Sequence, residues 1–348
     1  MSPAEKQFRV LIVRLGAMGD ILHALPAITA LRAAHPEWFV GWAVEPQWRD
    51  LLCAGECDQR GPRMSVVDAI HVVPAKQWAH APLSMESLRD IRCVRRELRE
   101  ARYDISIDLQ GAVRSAVIGR WARASRLIGE DKPREHAARF LFGERIQTRG
   151  VHVIEQAIEV ANAVAGESLP LMLPWLPTDP TAETEADSIA QPFVLIGPGA
   201  GWGAKRWPTE RYAAVARQLY QARYKVIVNT GPGEESITQE LASLSGGTAT
   251  VLQPTLTELI AITRRASVVI AGDTGPLHLA SALGKPVVGI FGPTDPARNG
   301  PFWGSFKVLR HPESRRDHAR HAAPEAGLLT ITPEAVLDAA MELLKETK

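Results

Sequence analysis

Apolar and polar positions along the chain switch repeatedly between two periods. Val10-Leu-Ile-Val-Arg-Leu15 is a short β-branched run of strand type. After Gly16 and Gly19 the pattern becomes helical, with Ile21, Leu22, Leu25, Ile28 and Leu31 on one stripe. Further strands are predicted over 38–44, 69–73 and 105–109, with a helix over 88–101 between the last two. Residues 166–191 lose this periodicity and are punctuated by Pro170, Pro174, Pro177 and Pro180, which marks a linker. A second alternation follows. Strands are predicted over 193–197, 225–229, 248–252, 267–271 and 286–291, and helices over 209–222, 234–244, 257–265 and 276–283. Thr209 is the expected N-cap and Gly284 the expected stop of two of these helices. A final helix over 333–344 could pack on either half. Strand and helix in alternation are the signature of parallel sheets. The expectation is therefore α/β, two Rossmann-like doubly wound domains over 1–175 and 176–348. Such a pair places a ligand cleft at the carboxyl ends of the strands.

Composition changes this picture little. At 348 residues the chain exceeds what one core usually serves, and 45% hydrophobic with 23% charged residues excludes a disordered chain. No apolar run reaches the ~20 residues of a membrane span, and no signal-peptide pattern opens the sequence, so a cytoplasmic protein is expected. Cys53, Cys57 and Cys93 read as reduced thiols; Cys53 and Cys57 could form half a metal site, but nothing nearby completes one. The net charge of +1 hides an asymmetry. Residues 89–149 hold 15 Lys/Arg against 9 Asp/Glu, an excess of 15 − 9 = 6, and a second basic stretch runs from 307 to 320. These suit an anionic partner or, equally, a solvated helix face.

Four motifs carry candidate chemistry, each at the end of a predicted strand. In Arg14-Leu-Gly-Ala-Met-Gly19-Asp20 the glycines allow close backbone approach, and Asp20 stands at a helix start, where an N-cap role would equally suit it. The third glycine of a dinucleotide fingerprint is absent. Gly197-Pro-Gly-Ala-Gly201-Trp-Gly-Ala-Lys205 can cradle an anion on backbone N–H groups, with Lys205 as a point charge. In Gly231-Pro-Gly-Glu234-Glu235 either carboxylate could accept from ribose hydroxyls. Asp273-Thr274-Gly275-Pro-Leu-His278 offers a helix N-terminus suited to a diphosphate, and Pro276 is tolerated in the first turn. No Asp-x-Asp pair is present to hold a divalent cation, so a metal-free site is expected.

With Asp108-Leu-Gln110-Gly-Ala-Val-Arg114-Ser115 added, and Gly292-Pro-Thr-Asp following the last motif, the chain resembles the bacterial lipopolysaccharide heptosyltransferases, the family 9 glycosyltransferases, over nearly its whole length. The Asp20 and Asp108 motifs are nearer to the first heptosyltransferase and the Lys205 motif to the second; the nearest resemblance overall is to the first. The resemblance implies a GT-B fold and a metal-independent, inverting transfer of heptose from ADP-heptose to the Kdo region of a lipopolysaccharide core. It implies no cofactor, no nucleic acid, and attachment to the inner face of the cytoplasmic membrane. Asp20 matches the catalytic base; Lys205, Glu235 (or else Glu234) for the ribose, Asp273, Thr274 and Gly275 match donor contacts, with Gly201 and His278 beside them. Gly19, Gln110, Arg114, Arg120 and Arg134 are the expected acceptor contacts. A base at a helix start is stabilised as carboxylate, so proton transfer is expected to be concerted with bond formation. Outside this expectation stand another family 9 transferase with a different sugar or acceptor, a nicotinamide oxidoreductase, and a non-catalytic nucleotide-binding module.

Overall fold

The computed structural model describes residues 7–314 and 321–346. The chain divides into two compact units, residues 1–177 and 178–348. In the first, strands β1 (Arg9–Val13), β2 (Phe39–Val44), β3 (Ala69–Val72), β4 (Ile105–Asp108), β5 (Arg126–Glu130) and β6 (Glu144–Ile146) form a six-stranded parallel sheet in the order β3-β2-β1-β4-β5-β6. Its helices are α1 (Met18–Ala34), α2 (Ala75–His80), α3 (Met85–Glu100), α4 (Val113–Trp121) and α5 (Val153–Ala165). Both faces of a parallel sheet must be covered, which is why β1 reads as an unbroken apolar run. Leu11 and Val13 pack with Val94 of α3 and Ile118 of α4, while α1 packs on α5 through Ala27, Ala30, Leu31, Ile158 and Ala161.

The second unit repeats the plan. Strands β7 (Phe193–Gly197), β8 (Lys225–Asn229), β9 (Ala249–Leu252), β10 (Val268–Gly272), β11 (Val287–Phe291) and β12 (Phe306–Arg310) lie in the order β12-β11-β10-β7-β8-β9, again all parallel. Its helices are α6 (Pro180–Asp187), α7 (Thr209–Gln221), α8 (Glu235–Leu244), α9 (Leu256–Arg265), α10 (Gly275–Ala282), α11 (Pro296–Asn299) and α12 (Pro333–Glu346). In both sheets the order reverses between the first and fourth strands, β1/β4 and β7/β10. This is the doubly wound, Rossmann-like arrangement of GT-B proteins, where ligands sit at the reversal.

The strands over 193–197 and 225–229 fall where the alternation placed them. The structure adds β5, β6 and β12, short strands with no strong apolar signal. The proline-rich linker is not structureless. It contains α6, started by Pro180 and capped by Asp179, whose Glu183 and Asp187 pair with Arg264 and Arg265 of α9. Pro208, not Thr209, is the N-cap of α7, and Thr209 is the buried first helical residue. Gly284 does follow α10, at φ +66°. Helix α12 packs on the second unit, with Val336, Ala340, Leu343 and Leu344 among the core around Trp207, Tyr212 and the strands β7, β8 and β10.

Trp207 locks that core: it is 1% exposed, donates from Nε1 to the Ile331 carbonyl at 3.0 Å, and meets Tyr212 edge-on. Trp207→Ala is expected to cost about 3–5 kcal/mol of the second unit's stability, the usual range for emptying an aromatic core site. Urea unfolding followed by hydrogen exchange of β7 and α12 measures it; a loss below about 1 kcal/mol would show that α12 is held by other contacts.

Candidate active site

In the first unit the loops after β1 and β4 part at the reversal and are stitched together by side chains. Arg14 donates from Nη1 to the Leu109 carbonyl, and the Leu15 N–H donates to Gln110 Oε1 at 2.8 Å. The buried Trp42 of β2 adds a bond from Nε1 to the Arg14 carbonyl at 3.0 Å. Asp20 is the third residue of α1, not its N-cap. One carboxylate oxygen accepts the Ala17 N–H at 3.0 Å, and the other pairs with Arg14 Nη2 at 2.9 Å. The side chain is still 35% exposed. A carboxylate offers about four lone-pair sites, so these two partners position Asp20 without exhausting it. Gly19 precedes it in the same turn.

Asp108 is the buried brace of the β4 loop. Its Oδ1 accepts the N–H groups of Gln110 and Gly111, both at 2.8 Å, and its Oδ2 lies 2.7 Å from Ser115 Oγ. That hydroxyl also lies 2.8 Å from the Ala112 carbonyl. One hydroxyl proton cannot serve both acceptors. An ionised Asp108 takes the Ser115 proton; a neutral one can instead donate to Ser115, which then donates to Ala112. Burial pushes the Asp108 carboxyl up to about 6, against the hydrogen bonds from Gly111, Ser115 and Gln110 and the charge of Arg14.

The other expected acceptor contacts separate. Arg114, at the start of α4, reaches the Ala75 carbonyl at 3.4 Å, and exposed Arg134 follows Pro133, which packs on Gly111 at the same edge. Arg120 does not join them. It stands two turns along α4, about 9 Å of helix rise from Arg114, and donates to the Leu141 carbonyl at 2.7 Å. Helix α4 returns toward the start of β5 and carries Arg120 away from Asp20. Two residues at the β1–β2 edge carry no sequence signal and emerge only from the fold. Glu45, directly after β2, is 4% exposed and accepts the Lys76 N–H at 3.1 Å; burial raises its carboxyl, opposed by Lys76 and Arg114. Trp48 lies so close to Gly16 that a Cβ there would sit 2.9 Å from its indole nitrogen.

In the second unit the equivalent loops are bridged by an ion pair. Lys205, in the 3₁₀ turn Gly203–Lys205, donates to the Asp273 carboxylate, and its Nζ lies 4.3 Å from the Trp202 ring centre. Asp273 also meets His278 Nε2 at 3.0 Å. Burial would raise the Asp273 carboxyl, but the hydrogen bond and charge of His278, and then those of Lys205, hold it well below the usual carboxylate range. Lys205 and Asp273 thus engage one another, where the sequence suggested two independent ligand contacts. Thr274 is the N-cap of α10 but donates its hydroxyl to the Gly272 carbonyl at 3.2 Å, leaving the first-turn N–H groups, Gly275 among them, without a side-chain cap.

Glu234 and Glu235 are told apart by the fold. Glu234 accepts the Gly231 N–H at 3.0 Å and lies against Gly199, where any Cβ would collide with its carboxylate. Burial raises the Glu234 carboxyl. Glu235 is exposed and turns to Gln253 at 3.3 Å. Glu234 therefore faces the loop after β7 and Glu235 faces away from it; Gly201 is exposed in that β7 loop. The loop before Lys205 is pinned from behind, because Ala204 N–H donates to the His321 carbonyl at 3.0 Å and Glu325 N–H to the Ala204 carbonyl at 3.2 Å. Of the basic stretch 307–320, residues 315–320 lie outside the described residues. Among the described residues no group of three or more His, Cys, Asp or Glu side chains could hold a metal ion, and no helix is long and apolar enough to cross a membrane.

A family model described as glycosyltransferase family 9 (heptosyltransferase) matches residues 91–328. The chain belongs to this family. Lipopolysaccharide heptosyltransferase 1 of Escherichia coli is 27% identical over 352 residues, covering 95% of this chain and 98% of that protein. Lipopolysaccharide heptosyltransferase 2 of Salmonella typhimurium is 25% identical over 362 residues, covering 97% and 99%. Among solved structures, E. coli heptosyltransferase WaaC with ADP-2-deoxy-2-fluoro heptose matches with a TM-score of 0.77 at 25% identity, over 96% of this chain and 99% of that one. A family 9 glycosyltransferase from Veillonella parvula matches with a TM-score of 0.81 at 21% identity, over 99% of each. The first unit thus presents a half-exposed carboxylate, Asp20, and the second a helix start without a side-chain cap beside Lys205.

The Asp108 brace makes stability depend on pH. A carboxyl raised on folding stabilises fully below its unfolded value near 4, and that contribution is withdrawn as pH rises through about 6. Asp108→Asn keeps the acceptor and supplies the donor to Ser115. The variant is expected to gain melting temperature over the parent at pH 7.5 relative to pH 5, read by calorimetry. An offset that does not change with pH would show that Asp108 is ionised throughout.

Proposed function

We propose that this protein transfers L-glycero-D-manno-heptose from ADP-heptose to the Kdo region of the lipopolysaccharide inner core, with inversion at the anomeric carbon and without a metal. The observation that carries the reading is the placement of Asp20. It is held by Ala17 and Arg14 at the β1/β4 reversal, yet is 35% exposed. The acceptor hydroxyl loses its proton to Asp20 as its oxygen attacks the anomeric carbon, and ADP leaves from the opposite face. A displacement of this kind needs one base and one anion stabiliser, not the second nucleophilic carboxylate of a retaining mechanism. Lys205 and the uncapped first turn of α10 supply the anion stabilisation, commonly the largest electrostatic contribution. Glu234 is assigned to the ribose, Asp273 to the orientation of Lys205 with His278 behind it, and Gln110, Arg114 and Arg134 to the acceptor side.

The named relatives support the donor and the lipopolysaccharide acceptor, and heptosyltransferase 1 is the preferred assignment over heptosyltransferase 2 on the Asp20 and Asp108 motifs. No observation favours the nicotinamide or non-catalytic readings. Work at the inner face of the cytoplasmic membrane is part of the same proposal. In its favour, Met85, Arg89, Arg92 and Arg96 share the exposed face of α3.

Purified protein with ADP-heptose and Kdo-lipid A is expected to release ADP and form heptosylated product equally with and without EDTA. No product with any lipopolysaccharide acceptor would overturn the reading, and product lost on chelation would overturn the metal-free mechanism. Asp20→Asn keeps the acceptor for the Ala17 N–H but removes the base. Turnover is expected to fall by about 10²-fold or more with ADP affinity retained. Undiminished turnover would remove Asp20 from the chemistry. Reversing Arg89, Arg92 and Arg96 to Glu is expected to weaken binding to anionic vesicles by about 100-fold or more, on the scale of ~1 kcal/mol per charge. Flotation at graded salt measures this, and unchanged binding would exclude α3 as the docking face.

A further inference from the structure

Close to the Asp20 loop the first unit carries a pair of thiols that the proposed reaction does not use. The 3₁₀ turn Pro46–Leu51 runs into a tight bend in which Cys53 is buried and Cys57 half-buried, with their Sγ atoms 2.7 Å apart. Bonds that do not use the sulfurs help to hold the bend. Arg49 donates from Nη1 to the Gly55 carbonyl at 2.6 Å, and Ala54 N–H donates to the Arg63 carbonyl at 2.8 Å. The two thiols point at carbonyls of the same bend, Gly55 at 3.3 Å from Cys53 and Ala54 at 3.6 Å from Cys57. The sulfurs are therefore already close to the separation of about 2.05 Å that a disulfide bond needs.

We propose that Cys53 and Cys57 form an oxidisable dithiol, a modification site that closes to an intramolecular disulfide by exchange with a small disulfide such as oxidised glutathione. Cys57, the more accessible, attacks as thiolate, forming a mixed disulfide and releasing one small thiolate, which takes up a proton. Cys53 then loses its proton and attacks the Cys57 sulfur, releasing the second small thiol. The protein's two thiols lose two electrons and two protons, and the small disulfide gains them. Burial, then the hydrogen bond and charge of Cys57, push the Cys53 thiol up to about 12, with Arg49 opposing. The attacking and resolving roles follow, since nucleophilic attack needs the thiolate. The bend is continuous with the 3₁₀ turn whose Trp48 lies against Gly16. Closing the disulfide stiffens the support of the loop that carries Asp20.

The test uses the full chain with the exposed Cys93 replaced, Cys93→Ser, so that the pair is read alone. The protein is equilibrated with graded mixtures of reduced and oxidised glutathione, blocked with an alkylating agent, digested and mapped by mass. The expected product is one cross-link joining Cys53 to Cys57, two hydrogens lighter than the dithiol and reversed by dithiothreitol. Amide exchange over residues 48–57 is expected to slow in the oxidised form. Two alkylated thiols at every ratio, or glutathione retained on Cys57 without a cross-link, would overturn the proposal. In Cys57→Ser, Cys53 is expected to stay unmodified; rapid glutathionylation there would overturn the assigned order of attack.

Discussion

Both units are governed by one topological constraint, the reversal of strand order beside their first strands. A parallel sheet satisfies its backbone groups along the ladder and buries both faces under helices. At β1/β4 and β7/β10 the chain leaves two adjacent strands toward opposite faces, so the loops diverge and their polar groups lose the ladder. Buried polar groups without partners are costly, and the sequence supplies side chains that cross the gap. In the first unit they are Arg14, reaching Leu109, and Gln110, receiving Leu15. In the second a single ion pair, Lys205 with Asp273, spans the same place. The residues that make the site are therefore also those that close the weakest point of each sheet.

The two bridges differ in depth, and the difference separates their roles. Asp273 and Lys205 are 5% and 11% exposed, so removing Asp273 leaves the Lys205 charge buried without its partner, a loss of several kcal/mol in comparable pairs, whereas Asp273 without Lys205 keeps His278. Such a pair orients a charge and holds it. Asp20 keeps about a third of its surface open while accepting the Ala17 N–H and pairing with Arg14. The proposed base is therefore the shallower carboxylate, which is not part of a buried network. Asp108 is the opposite extreme, closed off within its loop with its carboxyl pushed up to about 6 by burial, which suits a brace.

Much of this was legible along the chain. Alternating strand and helix periods required two doubly wound units, and four loop motifs at strand ends required the site to lie at the carboxyl edges, because only there do glycines and polar residues follow buried apolar runs. The short edge strands β6 and β12 were not legible, since half-exposed edge positions leave little apolar pattern, and β5, RLIGE, offers only two large apolar residues. Helix α6 was hidden by prolines that in fact start it. The terminal helix could pack on either half by its own stripe; Trp207 and Tyr212, contributed from over a hundred residues away, decided for the second.

The sequence by itself determined which residue types stand at the ends of which strands, because local periodicity and glycine placement are local properties. The tertiary structure decided their partnerships. It set Glu234 inward and Glu235 outward, tied Lys205 to Asp273, carried Arg120 away down α4, and brought Glu45 and Trp48, with no motif of their own, beside the Asp20 loop. Most of these depend on residues distant in sequence that the fold brings together, such as Lys205 with Asp273 and Glu234 with Gly199.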